Sequence, residues 1–183
     1  MQVNNLKITN DYQKANYFNK FFSKIGSNLS KNLNKPCNNV ASVPEASFVA
    51  SSIFFNPTEI TEVFNAINKL KNKNGGVDCI HTTTLKNIAH YVSPAISHII
   101  NLCFKTGICP KLFKTAEIVP VYKNGEKCNS SNYRPIAQVS NITKIFETVL
   151  HRRLVDFIEK NSIINKRQFG FSKNRGSNEA LAD

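Results

Sequence analysis

At 183 residues the chain is long enough for one full core, or for one domain with a tethered arm. A hydrophobic fraction of 41% weighs against global disorder, and no uninterrupted apolar run approaches the roughly 18 to 20 residues of a membrane-spanning helix. A formal net charge of +12 and a pI near 9.6 make nucleic acid the leading partner class; the plainer alternative is that the lysines only keep the protein solvated.

Residues 1–10 carry no apolar block ahead of a small-residue cleavage site, so the expected location is intracellular, in cytoplasm or nucleus. The five cysteines, Cys37, Cys79, Cys103, Cys109 and Cys128, are odd in number and widely spread, which argues against a disulfide framework and for buried, reduced thiols. A structural zinc site would need paired cysteines or a close histidine pair, and His81, His90, His98 and His151 supply neither. His98 lies in an apolar helical stretch and His151 beside two arginines, which suits packing or phosphate contact better than general-base catalysis.

In chain order, Tyr12, Ala15, Phe18, Phe22, Ile25, Leu29 and Leu33 recur at three- and four-residue steps, and the lysines fall between them. Residues 1–33 therefore read as an N-terminal amphipathic helix whose basic side faces water or nucleic acid. Periodicity vanishes over 34–56, a linker rich in Pro, Asn and Ser. A second helix is announced by Asn56 as cap, Pro57 in its first turn and Glu59 near its positive end, with Ile60, Val63, Phe64, Ile67 and Leu70 turned inward. After the break at Gly75-Gly76 a short helix is expected over 83–90. Another should start at Ser93-Pro94, bury Ile96, Ile99, Ile100 and Cys103, and end at Gly107. Residues 115–123 and 133–139 read as strands joined by a long exposed loop, with Pro120 and Pro135 demanding edge positions. Ser140 then caps the most strongly periodic helix, whose stripe runs from Ile142 to Ile158 and which ends at Asn161. Ser177 is placed to begin a last helix. The class is α+β, mostly helical, with a short β-hairpin flanked by helices.

Four words in register then carry a family resemblance: Phe113-Lys114-Thr115-Ala116-Glu117-Ile118-Val119-Pro120-Val121-Tyr122-Lys123, Ser131-Asn132-Tyr133-Arg134-Pro135-Ile136, Lys144-Ile145-Phe146-Glu147 and Gln168-Phe169-Gly170-Phe171. In order and spacing they resemble the reverse transcriptases of LINE-type, jockey-like non-LTR retrotransposons. Upstream, Phe18-Asn19-Lys20-Phe21-Phe22 and Gly76-Val77-Asp78-Cys79-Ile80 look like segments that precede the polymerase core. The resemblance implies that 57–183 is the N-terminal, fingers part of a right-hand polymerase, truncated before the palm's catalytic strands. It also implies an RNA template, a DNA primer and deoxynucleoside triphosphates as partners, with magnesium in the complete enzyme and no cofactor held by this chain alone.

Lys123 and Arg134 lie near the two ends of the expected loop, where they can reach one anionic object. Arginine offers a planar fork to phosphate oxygens and lysine a mobile point charge. The resemblance matches Arg134 to the fingers arginine that contacts the incoming triphosphate and Lys123 to a neighbouring basic position; the alternative for Arg134 is a surface ion pair with Glu126 or Glu147. In the tail, Gln168, Phe169, Gly170, Phe171, Lys173 and Arg175 combine flat side chains, a glycine and positive charge, which suits a template path, although the two phenylalanines could equally be core. Arg152 and Arg153 read as a solvated helix face.

The two readings are thus a fragment of an RNA-directed DNA polymerase and a non-catalytic basic RNA- or DNA-binding module derived from a mobile element. Phosphoryl transfer by two metals needs bridging carboxylates, and the chain contains no Asp-Asp word. The chain alone is therefore expected to give no primer extension on an RNA template with magnesium or manganese. Incorporation above a mock preparation, abolished by substituting one acidic residue of this chain, would overturn that expectation.

Overall fold

The computed structural model describes residues 2–3, 6–32, 52–72, 75–76, 78–165, 167–170 and 176–182. Most of the expected linker, together with Phe171, Lys173 and Arg175, lies outside them. Strands β1 (Gln2–Val3) and β2 (Leu6–Lys7) pair antiparallel ahead of α1 (Asp11–Asn32). Asn10 caps α1, its side-chain oxygen accepting from the N–H groups of Tyr12 at 2.9 Å and Gln13 at 3.3 Å. Only part of the apolar stripe is used: Phe18 and Phe22 are half-buried, with Tyr17 and Phe21 beside them, while Tyr12, Ile25 and Leu29 are exposed.

The helical core is built from α2 (Ile60–Lys69), α3 (Thr82–Asn87), α4 (Ala89–Thr106) and α5 (Asn141–Lys160). Val63, Ile67, Ile100, Ile145 and Val149 are its fully buried centre. Helix α2 begins later than the Asn56-Pro57 signal suggests, with Glu59 at the cap position. The cause is Thr58, whose backbone is engaged by α4. Its N–H donates to Asn101 Oδ1 at 2.7 Å, and its carbonyl accepts from Ser97 Oγ and Asn101 Nδ2 at 3.0 Å each. The inward side of α2 is also rotated, because the helix packs on both α4 and α5. Ala66 is buried, whereas Ile60 and Phe64, expected inside, are exposed.

Helix α3 ends at Asn87, and α4 starts at once rather than at Ser93-Pro94. The Ile88 carbonyl accepts from the N–H groups of Tyr91 and Val92, so a full turn exists before Pro94, which sits inside the helix. There it forfeits one bond, to the carbonyl of His90; the buried Ser93 hydroxyl donates to the Ala89 carbonyl at 2.6 Å. Gly107 ends α4 in the left-handed region at φ 69°, with its N–H donating to the Cys103 carbonyl at 2.9 Å. Ser140 caps α5 by accepting from the Thr143 N–H at 3.0 Å, and α6 (Ser177–Ala182) forms at the tail. All four described cysteines are free thiols, but Cys103 alone among them is buried, and Cys79 and Cys128 are exposed. His98 is exposed as well, not packed.

Arg153 corrects the solvated-face reading. Its Nη1 and Nη2 donate to Glu62 Oε1 at 3.1 Å and Oε2 at 2.9 Å, and Nε donates to the Asn56 carbonyl at 2.9 Å. Further bonds reach the carbonyls of Val149 and Pro57, and the guanidinium lies 5.3 Å from the centre of the Phe104 ring. Its side chain is 14% exposed, whereas that of Arg152 is 71% exposed and lies 3.8 Å from the same carboxylate. Adjacent helical residues point about 100° apart, so one can be buried and the other not.

The hydrogen bonds from Arg153 hold the Glu62 carboxyl below the ordinary value of 4.5, against an opposing effect of burial. A depressed folded-state pKa contributes stability that is complete above the unfolded value and is lost as pH falls through the folded one. Arg153→Met, which leaves the half-buried Glu62 carboxylate with only the Thr58 hydroxyl and the exposed Arg152 beside it, is expected to cost roughly 1 to 2 kcal/mol at pH 7. The deficit should shrink when unfolding is measured below pH 4; a deficit unchanged between pH 7 and pH 3 would assign the loss to packing alone.

Candidate nucleic-acid interface

Strands β3 (Ala116–Tyr122) and β4 (Tyr133–Val139) form a two-stranded antiparallel ribbon, paired from Ala116↔Val139 to Tyr122↔Tyr133. The register sets Pro120 directly opposite Pro135. The Lys123 N–H donates to the Asn132 carbonyl at 2.8 Å, so by alternation the proline pair is a non-bonded one. Neither proline costs the ribbon a bond, and each removes a donor from an outer edge where a third strand would otherwise pair.

The loop from Lys123 to Asn132 is tied by its own side chains. The Tyr122 hydroxyl donates to the Gly125 carbonyl, Asn132 Nδ2 to Glu126 O at 3.0 Å and the Tyr133 hydroxyl to Lys127 O at 2.9 Å. Gly125 takes φ 87° to make the turn. At the ribbon's base, Gly75 and Gly76 allow a close backbone approach. A Cβ on Gly76 would lie 2.6 Å from the Val139 oxygen, and one on Gly75 would lie 2.5 Å from the Ile80 nitrogen. Gln138 Nε2 donates to the Gly75 carbonyl at 3.3 Å and the buried Asn141 Nδ2 to the Ile80 carbonyl at 2.7 Å. Asp78 acts as a turn residue here, accepting from the Ile80 N–H at 3.2 Å. Cys79 beside it is held at φ 54°, a left-handed conformation that costs an L-residue about 1 kcal/mol.

Cross-strand partners share a face. One face, with Ile118, Pro120 and Tyr122 opposite Ala137, Pro135 and Tyr133, turns toward α1. Phe18 meets Tyr133 edge-on at 4.9 Å, Tyr133 meets Tyr122 at 5.6 Å, and the Tyr17 hydroxyl lies 3.2 Å from Ser130 Oγ. This aromatic junction was not singled out in the sequence; its one visible sign is the pair of tyrosines flanking the loop.

The other face is open: Val119, Val121 and Ile136 are all exposed. Arg134, opposite Val121, projects from it, and Lys123 continues the same alternation two residues past Val121. The structure thus brings the two cations to one end of one face. Both are exposed, and among the described residues Arg134 pairs with neither Glu126 nor Glu147. The tail is a separate feature. Gln168 is exposed, Phe169 half-buried and Gly170 exposed, and Gln168 Nε2 donates to the Gly170 carbonyl at 2.9 Å.

Comparison with known proteins bears on what this ribbon belongs to. No protein-family model matches the chain. It is 29% identical over 132 residues to the probable RNA-directed DNA polymerase from transposon BS of Drosophila melanogaster, covering 71% of this chain and 15% of that protein. It is 29% identical over 147 residues to the RNA-directed DNA polymerase from mobile element jockey of the same species, covering 79% of this chain and 16% of the relative. For the probable polymerase from transposon X-element the figures are 30% over 118 residues, 64% and 13%. The chain is thus similar to one part of the RNA-directed DNA polymerases of LINE-type, jockey-like mobile elements. The chain spans about 15% of the length of the relatives it matches.

The segment's exposed cations and its aromatic junction should separate in stability measurements. Arg134→Ala is expected to leave thermal unfolding within about 0.5 kcal/mol of the parent, since among the described residues its side chain has no ion-pair partner to lose. Tyr133→Ala removes two ring contacts and a hydroxyl bond and should cost about 2 kcal/mol. Circular dichroism melts check both, and equal losses would mean that Arg134 is held by the protein.

Proposed function

We propose that this segment is the fingers part of an RNA-directed DNA polymerase, in which Arg134 and Lys123 bind the triphosphate of the incoming deoxynucleoside triphosphate. The carrying observation is the placement of two exposed cations, one of them a planar fork without an ion-pair partner among the described residues, at one end of the ribbon's open face. Pro135 keeps Arg134 extended in the backbone, which reduces the freedom lost on binding. Gln168, Phe169 and Gly170, with Phe171, Lys173 and Arg175 beyond the described residues, are proposed to line the template path. The polymer partners are an RNA template and a DNA primer; no helix among the described residues is long and apolar enough to cross a membrane.

Magnesium would be needed for the transfer itself. Two such ions require converging carboxylates, but among the described residues no three His, Cys, Asp or Glu side chains come together, and Glu62 is engaged by Arg153. The residues present do not fit the metal pair, so their proposed work is binding and orientation. The alternative reading, a basic module that binds RNA or DNA without catalysis, uses the same positive charge but requires no nucleotide contact.

Arg134→Ala decides between them in a polymerase in which this segment is joined to a palm. Catalytic efficiency for incorporation should fall by roughly 2 to 4 kcal/mol in transition-state terms, while primer–template affinity changes little. Equal losses in template affinity and turnover would move Arg134 to the template path.

A further inference from the structure

An asparagine amide is lost when the backbone nitrogen of the next residue attacks it, and the attack is easiest before glycine, which has no side chain to obstruct the ring that forms. By sequence the reactive candidates are Asn74 and Asn124, each before a glycine, and Asn129 and Asn161, each before a serine. Asn74 lies outside the described residues; the structure separates the other three. Asn129 Oδ1 accepts from the Ser131 N–H at 3.0 Å and from Ser131 Oγ at 2.7 Å, and the next residue, Ser130, is buried. Asn161 Nδ2 donates to the Phe157 carbonyl at 2.8 Å, while the N–H that would have to attack it, that of Ser162, donates to the Glu159 carbonyl at 3.1 Å. A bonded N–H is harder to deprotonate. Asn124 and Gly125 are both exposed in the loop of the ribbon. The loop engages the Gly125 carbonyl through the Tyr122 hydroxyl, but among the described residues neither the Gly125 N–H nor the Asn124 side chain makes a hydrogen bond. Glycine is also fixed there by the fold: its φ is 87°, and a Cβ would lie 2.6 Å from Asn132 Nδ2.

We propose that Asn124 is a site of spontaneous deamidation, which lowers the positive charge at the tip of the ribbon. The Gly125 nitrogen gives up its proton to water or hydroxide and attacks Cγ of Asn124. The bond from Cγ to the side-chain nitrogen breaks, that nitrogen leaves as ammonia, and a cyclic imide remains. Water then opens the imide at either carbonyl and leaves one new carboxylate, as aspartate or as isoaspartate. Lys123 and Lys127, both exposed, favour the deprotonated nitrogen and the anionic oxygen of the addition step, and the exposed Glu126 opposes them with a single charge. The new carboxylate directly follows Lys123 and offsets its charge. In the isoaspartate form the main chain is also one carbon longer, within a loop tied by bonds from Tyr122, Asn132 and Tyr133. The reactivity stands on the loop alone, whereas its effect on anion binding rests on the nucleotide reading of Lys123 and Arg134 above.

The full 183-residue chain, shown to be folded by circular dichroism, is aged at mildly alkaline pH and mapped by mass spectrometry beside fresh protein digested in the same way. The peptide holding Asn124 should gain the mass difference between asparagine and aspartate with time, while those holding Asn129 and Asn161 keep their amides in the folded chain and convert faster once it is unfolded in urea. Inorganic triphosphate is then titrated by calorimetry into fresh parent, aged parent, Asn124→Asp and Asn124→Gln. Asn124 is at negative φ, so both substitutions fit its backbone. Aged parent and Asn124→Asp should bind several-fold more weakly than fresh parent, the scale of one exposed charge pair. Asn124→Gln, whose longer side chain would have to close a larger ring, should bind as the fresh parent does and keep its affinity on ageing. Conversion in the folded chain that is no faster at Asn124 than at Asn129 and Asn161 overturns the site. Conversion at Asn124 with triphosphate affinity unchanged overturns the effect on charge while the nucleotide reading stands. No triphosphate binding by fresh parent overturns the nucleotide reading and the effect with it, and the mass shift alone then decides the site.

Discussion

The position of the ribbon depends on a backbone approach that no side chain would permit. A two-stranded hairpin is at best marginally stable by itself, and Val119, Val121 and Ile136 on the open face of β3 and β4 stay partly exposed. Its base is fixed because Gly76 lies against the Val139 carbonyl and the Ser140 nitrogen, closer than any Cβ could come. From that point several bonds radiate: Gln138 to Gly75, Asn141 to Ile80, and the Ser140 cap into α5. The strand that carries Arg134 therefore runs straight into the helix that carries Ile145 and Val149, two of the fully buried residues of the core. A cation six residues before the Ser140 cap is aimed by the core through this junction.

The same helix closes the core at its other end through Arg153. A buried guanidinium is expensive unless every donor is used, and here the donors are distributed over a carboxylate and the carbonyls of Asn56, Pro57 and Val149. The carbonyls of Asn56 and Pro57 belong to the segment that fails to join α2, which explains how a non-helical approach to that helix is tolerated next to a packed core. Thr58 completes the arrangement, bonded to α4 through its backbone and to Glu62 through its hydroxyl at 2.6 Å. Helices α2, α4 and α5 are thereby held by polar contacts at one end and by aliphatic packing in the middle.

The ribbon is a two-faced element between helix α1 and open space. Its aromatic junction with α1 stabilises one face. The proline pair discourages edge pairing while leaving every ribbon bond intact, so valine and isoleucine can stay exposed on the other face without a partner strand. Such an arrangement keeps two charged groups at the tip available while their scaffold is braced from behind.

Local signals were enough for much of the chain. Gly107 and Ser140 mark helix ends because a left-handed turn and an N-terminal hydroxyl act within one turn of backbone, and the two strands and the end of α5 near Asn161 follow from patterns of similar range. The words around Tyr122-Lys123 and Arg134-Pro135 pointed to the family and named both cations. That the two share one face follows only once the register is known, because a slip of one residue would turn every side chain over. Ser93-Pro94 misled because a proline that suits a first turn is also tolerated one turn later when a preceding residue, here Ile88, has already opened the helix. Asn56-Pro57 misled because α4 claimed the backbone of Thr58. Arg153 looked like a surface charge because its carboxylate partner is not near it in sequence; Glu62 and the carbonyls of Asn56 and Pro57 lie 91 to 97 residues away. The sequence by itself determined most of the helices and the two ribbon strands, though not β1 and β2 or the starts of α2 and α4, and which family they resemble. Only the tertiary structure decided which arginine is buried, which face of the ribbon is open and what braces it, since burial depends on partners brought together by folding.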